Sequence, residues 1–342
     1  MTEQLTQSTT VIGADEEQFI TAAKAGDSGR FALLTERYRR ELHVHCYRLL
    51  ANYEDAQDMT QETFLRAWDK RETFQGRAAL RTWLYRIATN TCLDFLAKRS
   101  DRIPVPTANP EAGAEVLYLQ PMPDDPHDTA VARETIELAF IVAVQQLPPR
   151  QRAVLILRDV LGWPAQQTAD TLELSVAAAN SALQRARETM RANLPDSRLD
   201  WTAPSRRGLS ADERELVGKY IALQENLNIE GLTELLREDL RFAMPPNPGV
   251  WVTRESAVAS WIEGGFGKPP FDDWRGVATV VNGQPAAAMY LRQPGETSYR
   301  AFAIDVLRVV DGKVAEITGF EGITPSGANM FDWLGLPQSI EG

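Results

Sequence analysis

Few residues in this chain could support proton transfer, metal binding or thiol chemistry. Asp305 is the one acid within Ala301-Phe302-Ala303-Ile304-Asp305-Val306-Leu307, and strand alternation puts it on the face of Ala303 and Leu307. If that face lines a cavity, burial raises the carboxyl pKa and makes Asp305 a candidate general base. All 3 histidines, His43, His45 and His127, lie far upstream, which excludes a His-dependent mechanism there. One carboxylate without a visible partner favours protein contact or ligand sensing over turnover, so no catalytic residue is assigned. The run His43-Val44-His45-Cys46 has the residue types of a metal site. On a helix, however, residues two apart do not face one another, and neither a metal nor a cofactor is expected. The 2 cysteines, Cys46 and Cys92, both fall on apolar segments with a helical pattern. Reduced thiols of a cytoplasmic protein are expected, with no disulfide framework.

The remaining chemistry is that of binding. Asp55, Asp58, Glu62 and Asp69 recur at helical spacing beside Met59, Phe64 and Trp68, an acidic face that suits a basic partner helix or else is simply solvated. Farther on, Leu80, Leu84, Ile87 and Ala88 mark a buried stripe, while Arg77, Arg81, Arg86 and Asn90 leave cations and an amide for a nucleic-acid strand. The next carboxylate after them is Asp94. Single strands are held by cations that track phosphates and by aromatic rings on which bases stack, so Trp83 and Tyr85 are candidate base contacts. Trp83 fits the core equally well, because a helix tryptophan amid Leu and Ile often packs inward.

These side chains need helices to position them. Val176, Ala179, Leu183, Ala186 and Met190 recur every three or four residues and form one apolar stripe. Ser175 is a natural N-cap for that helix. The arrangement leaves Ala177, Ala178, Asn180, Ser181, Gln184, Arg185 and Arg187 as candidate DNA contacts, small residues first and long hydrogen-bonding ones later. Before it, Ala165 to Leu172 form a short scaffold helix opened by Pro164, with Glu173 and Leu174 as the turn. On pattern alone this is either a helix-turn-helix or two packed helices of any all-helical protein.

Two features taken together identify a family. The stretch Leu147-Pro148-Pro149-Arg150-Gln151-Arg152-Ala153-Val154-Leu155, together with the helical pair downstream of it, resembles region 4 of extracytoplasmic-function (ECF) sigma factors, the subunits that give bacterial RNA polymerase its promoter choice. The run from Asp55 to Trp68, then Phe74-Gln75-Gly76-Arg77 and Arg81 through Asn90 to Cys92-Leu93-Asp94, resembles their region 2. The resemblance covers roughly residues 15 to 195. It implies that Asp58, Gln61 and Glu62 bind core RNA polymerase by docking on the coiled coil of its largest subunit. It also implies that region 2 opens the minus-ten element of promoter DNA and that region 4 reads the minus-thirty-five element. Asn180 and Ala182 stand where the family usually has Lys or Arg, and Glu173 where it usually has Gly. Fewer phosphate contacts result, so autonomous DNA binding should be weak.

Composition agrees with a protein that needs a partner. A net charge of -11 repels DNA at long range. No stretch approaches about 18 consecutive apolar residues and the N-terminus lacks a secretory pattern, so no membrane partner is expected. The expected organisation is multidomain: a flexible N-terminus at 1–14, region 2 as a helical bundle at 15–99, a linker at 100–129 and the region 4 helix-turn-helix at 130–195. The linker has the composition of a tether, and in the family the corresponding segment follows the polymerase's RNA exit path.

A second linker at 196–209 leads into an extension that a short ECF sigma factor would lack. Ser210-Ala211-Asp212-Glu213 is a capping box opening a helix through about Asn228. A second helical run covers Gly231 to Asp239, and Thr253 caps a third helix through Trp261. Strands come next near 274–281, 286–292, 299–310 and 314–320, with Asn282-Gly283 and Asp311-Gly312 as hairpin turns. The order of elements resembles the SnoaL-like α+β cones, which implies a cone at 210–325 enclosing a pocket, with Tyr220, Trp251, Trp261 and Asp305 as pocket candidates for a possible small-molecule ligand. Residues 326–342 form an apolar tail, and Phe331, Trp333, Leu334 and Leu336 are expected to make an intramolecular contact between the cone and the sigma modules. The alternative is a one-component helix-turn-helix regulator with a ligand-sensing domain.

Overall fold

The computed structural model describes residues 21, 25–74, 79–99, 101–107, 113–124, 136–194 and 209–342. In chain order the helices begin with α1 (Ser28–Glu36), α2 (Arg39–Leu50), α3 (Tyr53–Asp69) and α4 (Leu80–Lys98). A short ladder, β1 (Val105–Pro106) with β2 (Ala114–Glu115), precedes α5 (Leu138–Gln145). Then come α6 (Pro149–Leu155), α7 (Ala165–Leu172) and α8 (Val176–Asn193). The C-terminal part contains α9 (Ala211–Glu225), α10 (Ile229–Leu235), β3 (Leu236–Ala243), β4 (Val250–Trp251), α11 (Arg254–Glu263), β5 (Trp274–Val281), β6 (Gln284–Leu291), β7 (Ser298–Val310), β8 (Lys313–Glu321), α12 (Met330–Trp333) and β9 (Ser339–Glu341).

The chain divides into two compact units. Residues 1–101 and 147–188 form a helical unit, and residues 102–146 and 189–342 form a sheet unit. In the helical unit α3 starts where Asn52 accepts from the Asp55 amide at 2.9 Å, satisfying one of the orphan N–H groups of a first turn. Leu84, Ala88 and Cys92 of α4 and Leu42, Cys46 and Leu49 of α2 are fully buried where the two helices pack, with Cys46 and Cys92 in contact. Arg152 of α6 is buried and donates to the carbonyls of Leu49 and Leu147, so one guanidinium serves the unsatisfied C-terminal turn of α2. The Val176 stripe of α8 is realised, with Ala179, Leu183, Ala186 and Met190 buried. The Ser175 hydroxyl accepts from the Ala178 amide at 3.1 Å as its cap. Pro164 stands one position outside α7, as its N-cap.

In the sheet unit the strand order is β4-β3-β8-β7-β6-β5, with β9 added to β7. Every pair is antiparallel except β3 with β8. Helices α9, α10 and α11 cover one face, burying Val217, Tyr220, Leu232 and Ala257 against Phe242, Met289, Leu307 and Ile317. Ser210 makes both bonds of the capping box with Glu213. Both hairpin turns form, with positive φ at Asn282, Gly283, Asp311 and Gly312.

Two expectations need correction. Residues 236–239 are strand and not helix, because Leu236 pairs with Val314 in the parallel β3–β8 ladder, a partner that local propensity cannot see. The segment expected as an apolar tail docking on the sigma modules belongs to the sheet unit: Tyr299 pairs with Ile340, and of its four apolar candidates Phe331 is fully buried against Tyr290 at 5.2 Å between ring centroids.

Candidate polymerase, DNA and ligand sites

The acidic face of α3 borders a groove of about 400 Å³ whose other wall is α4. Asp58 and Gln61 are exposed on its rim, and Leu65 presents an apolar surface 57% exposed. Glu62 is half-buried and accepts from Arg66 at 2.7 Å, and Arg66 in turn reaches Asp94 at 2.7 Å. The groove therefore offers Asp58, Gln61 and the cation Lys98, none with an ion pair among the described residues, around an apolar floor of Met59, Leu65 and Phe95.

Helix α4 distributes its candidates unevenly. Arg86 is exposed, Asn90 is half-buried, and Trp83 is half-buried against Phe74 at 5.2 Å between centroids. Trp83 and Arg86 border a groove of about 650 Å³ together with Gln166, Gln167 and Asp170 of α7. Arg77 lies outside the described residues. Arg81 donates to Glu41 of α2 at 2.8 Å.

Tyr85 is corrected. Only 2% exposed, it lies under the Arg81 guanidinium and gives its hydroxyl to Glu41 at 3.2 Å, so no base can stack on it. Burial first, and then the Glu41 charge, push its phenol well above the ordinary range. His45 on α2 shares a 2.8 Å hydrogen bond with Thr89, and His43 one of 3.3 Å with the Tyr53 carbonyl. Burial pushes both histidines down, His45 to about 3 and His43 to about 4, so both are neutral core residues. His127 lies outside the described residues.

On α8 the residues Ala177, Ala178, Asn180, Ser181, Gln184, Arg185 and Arg187 are all exposed opposite the buried stripe, two small residues followed by five polar ones. Two of them have local partners. Arg187 forms a two-pronged pair with Asp159 at 2.7 and 2.8 Å, and Gln184 donates to Glu188 at 3.2 Å. Glu173, where the family usually has Gly, sits in the left-handed region at φ 56, the conformation for which glycine is ordinarily chosen.

In the sheet unit Tyr220, Trp251, Trp261 and Asp305 line one cavity of about 290 Å³. Phe242 stacks on Trp251 at 5.1 Å and meets Trp261 edge-on at 5.5 Å. Asp305 accepts from the Tyr220 hydroxyl at 3.0 Å and from Gln224 at 3.3 Å, both at Oδ2. Burial raises its carboxyl to about 6 despite these two donors.

Family models match in the same order as these sites: Sigma-70 region 2 over residues 34–102, Sigma-70 region 4 over residues 137–190 and a SnoaL-like domain over residues 217–317. The chain is 40% identical over 328 residues to the ECF RNA polymerase sigma factor SigG of Mycobacterium tuberculosis, covering 91% of this chain and 85% of that protein. The chain belongs to the ECF sigma factors. It is also 28% identical over 179 residues to SigW of Bacillus subtilis, which spans 52% of this chain. The fold is shared with the crystal structure of Mycobacterium tuberculosis SigJ, at a TM-score of 0.59 and 24% identity over 90% of this chain and 99% of that one.

In this sigma factor the segment between regions 2 and 4 and the first helix of region 4 both pack on the SnoaL-like cone. The Asn282 side chain is fully buried. It accepts from the Met122 amide at 2.7 Å and donates to the Ile136 carbonyl at 2.6 Å. Gly283 N–H donates to Asp124 at 2.9 Å, and Gln284 accepts from the Leu138 amide at the start of α5 at 2.8 Å. Glu115 accepts from the Gly249 amide at 3.0 Å, beside β4. Sequence reasoning took Asn282-Gly283 for a hairpin turn and missed this grip, along with Glu41 and Asp159. Each lies on an element distant in sequence from its partner, where periodicity carries no signal. The sole local hint was an asparagine, whose amide can donate and accept at once. Among the described residues no helix is long and apolar enough to cross a membrane.

Proposed function

We propose that this chain works as a promoter-specificity subunit in the cytoplasm, docking on core RNA polymerase through Asp58 and Gln61 at the rim of the α3–α4 groove. The groove supports this reading because its apolar floor is bordered by polar groups without an internal ion pair, whereas Glu62 is held by Arg66 and contributes through that pair. Arg86, Asn90 and Trp83 of region 2 face the melted minus-ten strand, with Arg77 and Arg81 adding charge. The exposed face of α8 reads the minus-thirty-five element, with Arg185 and Arg191 as cations without an internal salt bridge among the described residues. A one-component regulator would have no use for a region 2, and the match over residues 34–102 speaks against it.

The cone regulates, and it does so by gripping the linker rather than through the tail. The observation that carries this is the buried Asn282 amide, which bonds the backbone of the segment between regions 2 and 4 at both Met122 and Ile136. A linker held this way is withheld from the path it takes in polymerase, so transcription requires the grip to open. The cavity is a ligand site without turnover: its single carboxylate is bonded to the neutral groups of Tyr220 and Gln224, and its lining residues include no histidine, lysine or arginine to complete an acid–base pair.

The test is core-polymerase binding by full-length protein and its Asp58→Arg variant, followed by transcription from a bound promoter. We expect the variant to bind at least tenfold more weakly, with transcription reduced in proportion. Equal binding would remove the assignment of α3 as the docking helix. The grip is tested by Asn282→Gly in the same assay, which should raise transcription without changing promoter choice.

A further inference from the structure

Resting on the reading of the cone cavity as a ligand site, we propose that its ligand is a hydrophobic organic cation, an amine whose ammonium group meets Asp305 while its apolar body lies among the aromatic rings. Three observations carry this. First, both hydrogen bonds to Asp305 go to Oδ2, from Tyr220 and Gln224, and among the described residues none goes to Oδ1. Secondly, the residue paired with Asp305 on β8 is Gly319, where a Cβ would come within 3.2 Å of Oδ1 and of Met244 Cγ. Glycine at that position keeps open the space beside the unused oxygen.

Thirdly, the electrostatics of the lining point one way. The cavity is walled by the Phe242, Trp251 and Trp261 cluster on one side and by Trp274 and Phe302, edge-to-face at 5.2 Å, on the other. Aromatic faces are the negative ends of ring quadrupoles and attract cations. The lining adds one carboxylate and no basic side chain. A neutral ligand would leave the carboxylate unpaired in an apolar wall, and an anionic one would add like charge, whereas an ammonium group supplies both the missing charge and a donor for Oδ1.

Ionisation of Asp305 gives the proposal a pH dependence. The groups facing the carboxylate are the phenol of Tyr220 and the amide of Gln224 from α9, the apolar side chains of Phe242 and Met244 from β3, and its strand partners Ala287 and Gly319. Tyr220 is the other titratable group in the lining, and burial keeps its phenol protonated across the whole physiological range. Amine binding should therefore track the Asp305 carboxyl alone, strong above about 6 and lost below it.

The experiment titrates full-length protein with 4-phenylbenzylamine and with 4-phenylbenzyl alcohol, two probes sharing one biphenyl frame, using calorimetry and intrinsic tryptophan fluorescence. At pH 7.5 the amine is expected to bind at least tenfold more tightly than the alcohol. Asp305→Asn should bring the two within twofold, and lowering the pH to 5 should weaken amine binding to the unaltered protein about tenfold while leaving the alcohol unchanged. Equal affinity for both probes would overturn the cationic class while leaving the cavity a ligand site. Absence of binding by either would overturn both. A preference for the amine that persists unchanged in Asp305→Asn and at pH 5 would place the cation elsewhere and equally overturn the proposal.

Discussion

The cone contains two hairpin turns of the same local design and opposite fate. Asn282-Gly283 joins β5 to β6 and Asp311-Gly312 joins β7 to β8, and both take up the left-handed conformation at φ between 52 and 73. The Asp311 side chain is 89% exposed, with a single weak ion pair to Arg237 at 3.7 Å. Asn282 is fully buried, and its amide is bonded at both ends to the segment between regions 2 and 4. The same contrast runs along β7, where Asp305 in mid-strand lines a cavity and Asp311 just past its end is exposed. Turn chemistry fixes the backbone of such a hairpin but says nothing of what its side chains hold. That depends on a chain segment far away in sequence.

The largest effect is expected from Asn282→Gly. Glycine keeps the backbone conformation and removes both side-chain bonds, leaving the Met122 amide and the Ile136 carbonyl buried without partners. Each such group costs about 1–3 kcal/mol, so the grip should weaken by roughly 2–6 kcal/mol. Hydrogen exchange should report this as lost protection at residues 113–124, and unchanged protection there would end the idea that Asn282 holds the linker.

Asp305→Asn comes next and has the opposite sign. Burial holds the native carboxyl at about 6, above its ordinary 3.8, so the native state retains a proton that the unfolded chain has already lost between those values. Stability accordingly falls as pH rises through that window, and the full penalty applies above it. Relieving the penalty should stabilise the variant at pH 7.5 by on the order of 2–3 kcal/mol in chemical denaturation. The gain should vanish near pH 4, and a gain independent of pH would show that ionisation is not its source. Gln284→Ala should cost less than Asn282→Gly, about 1–2 kcal/mol, because it orphans the Leu138 amide of a first helical turn and otherwise removes only a longer 3.3 Å bond to the Leu307 carbonyl. Exchange at Leu138 itself measures this loss.

What was legible in the sequence is what local chemistry determines. The α8 stripe, its Ser175 cap, the Ser210 capping box and both hairpins can be read from spacing and residue type, and so can the convergence of Tyr220, Trp251, Trp261 and Asp305 on one cavity once the cone is recognised. What was illegible depends on partners from elsewhere. Tyr85 has the right spacing for an exposed face of α4, yet Glu41 from α2 draws its hydroxyl inward. Leu236 to Asp239 have the polarity of a helix end, yet β8 pulls them into a parallel ladder. Phe331 was expected to dock on the sigma modules as part of an apolar tail, and Tyr290 covers it from within the sheet unit instead.

The smallest expected effect is the one that best tests the contrast between the turns. Asp311→Asn retains a side chain that tolerates positive φ and removes only an exposed ion pair to an arginine already held by Asp239 at 2.7 Å. Such pairs contribute little, and stability should change by less than about 0.5 kcal/mol. Asp311→Ala separates the backbone from the side chain: alanine at positive φ carries a strain of about 1–2 kcal/mol, while no buried partner is orphaned. Hydrogen exchange at 113–124 should be unmoved by either substitution, because among the described residues Asp311 makes no bond to the linker. If Asp311→Asn weakened linker protection as much as Asn282→Gly does, the loss would come from general loosening of the cone, and the grip could no longer be assigned to one buried amide.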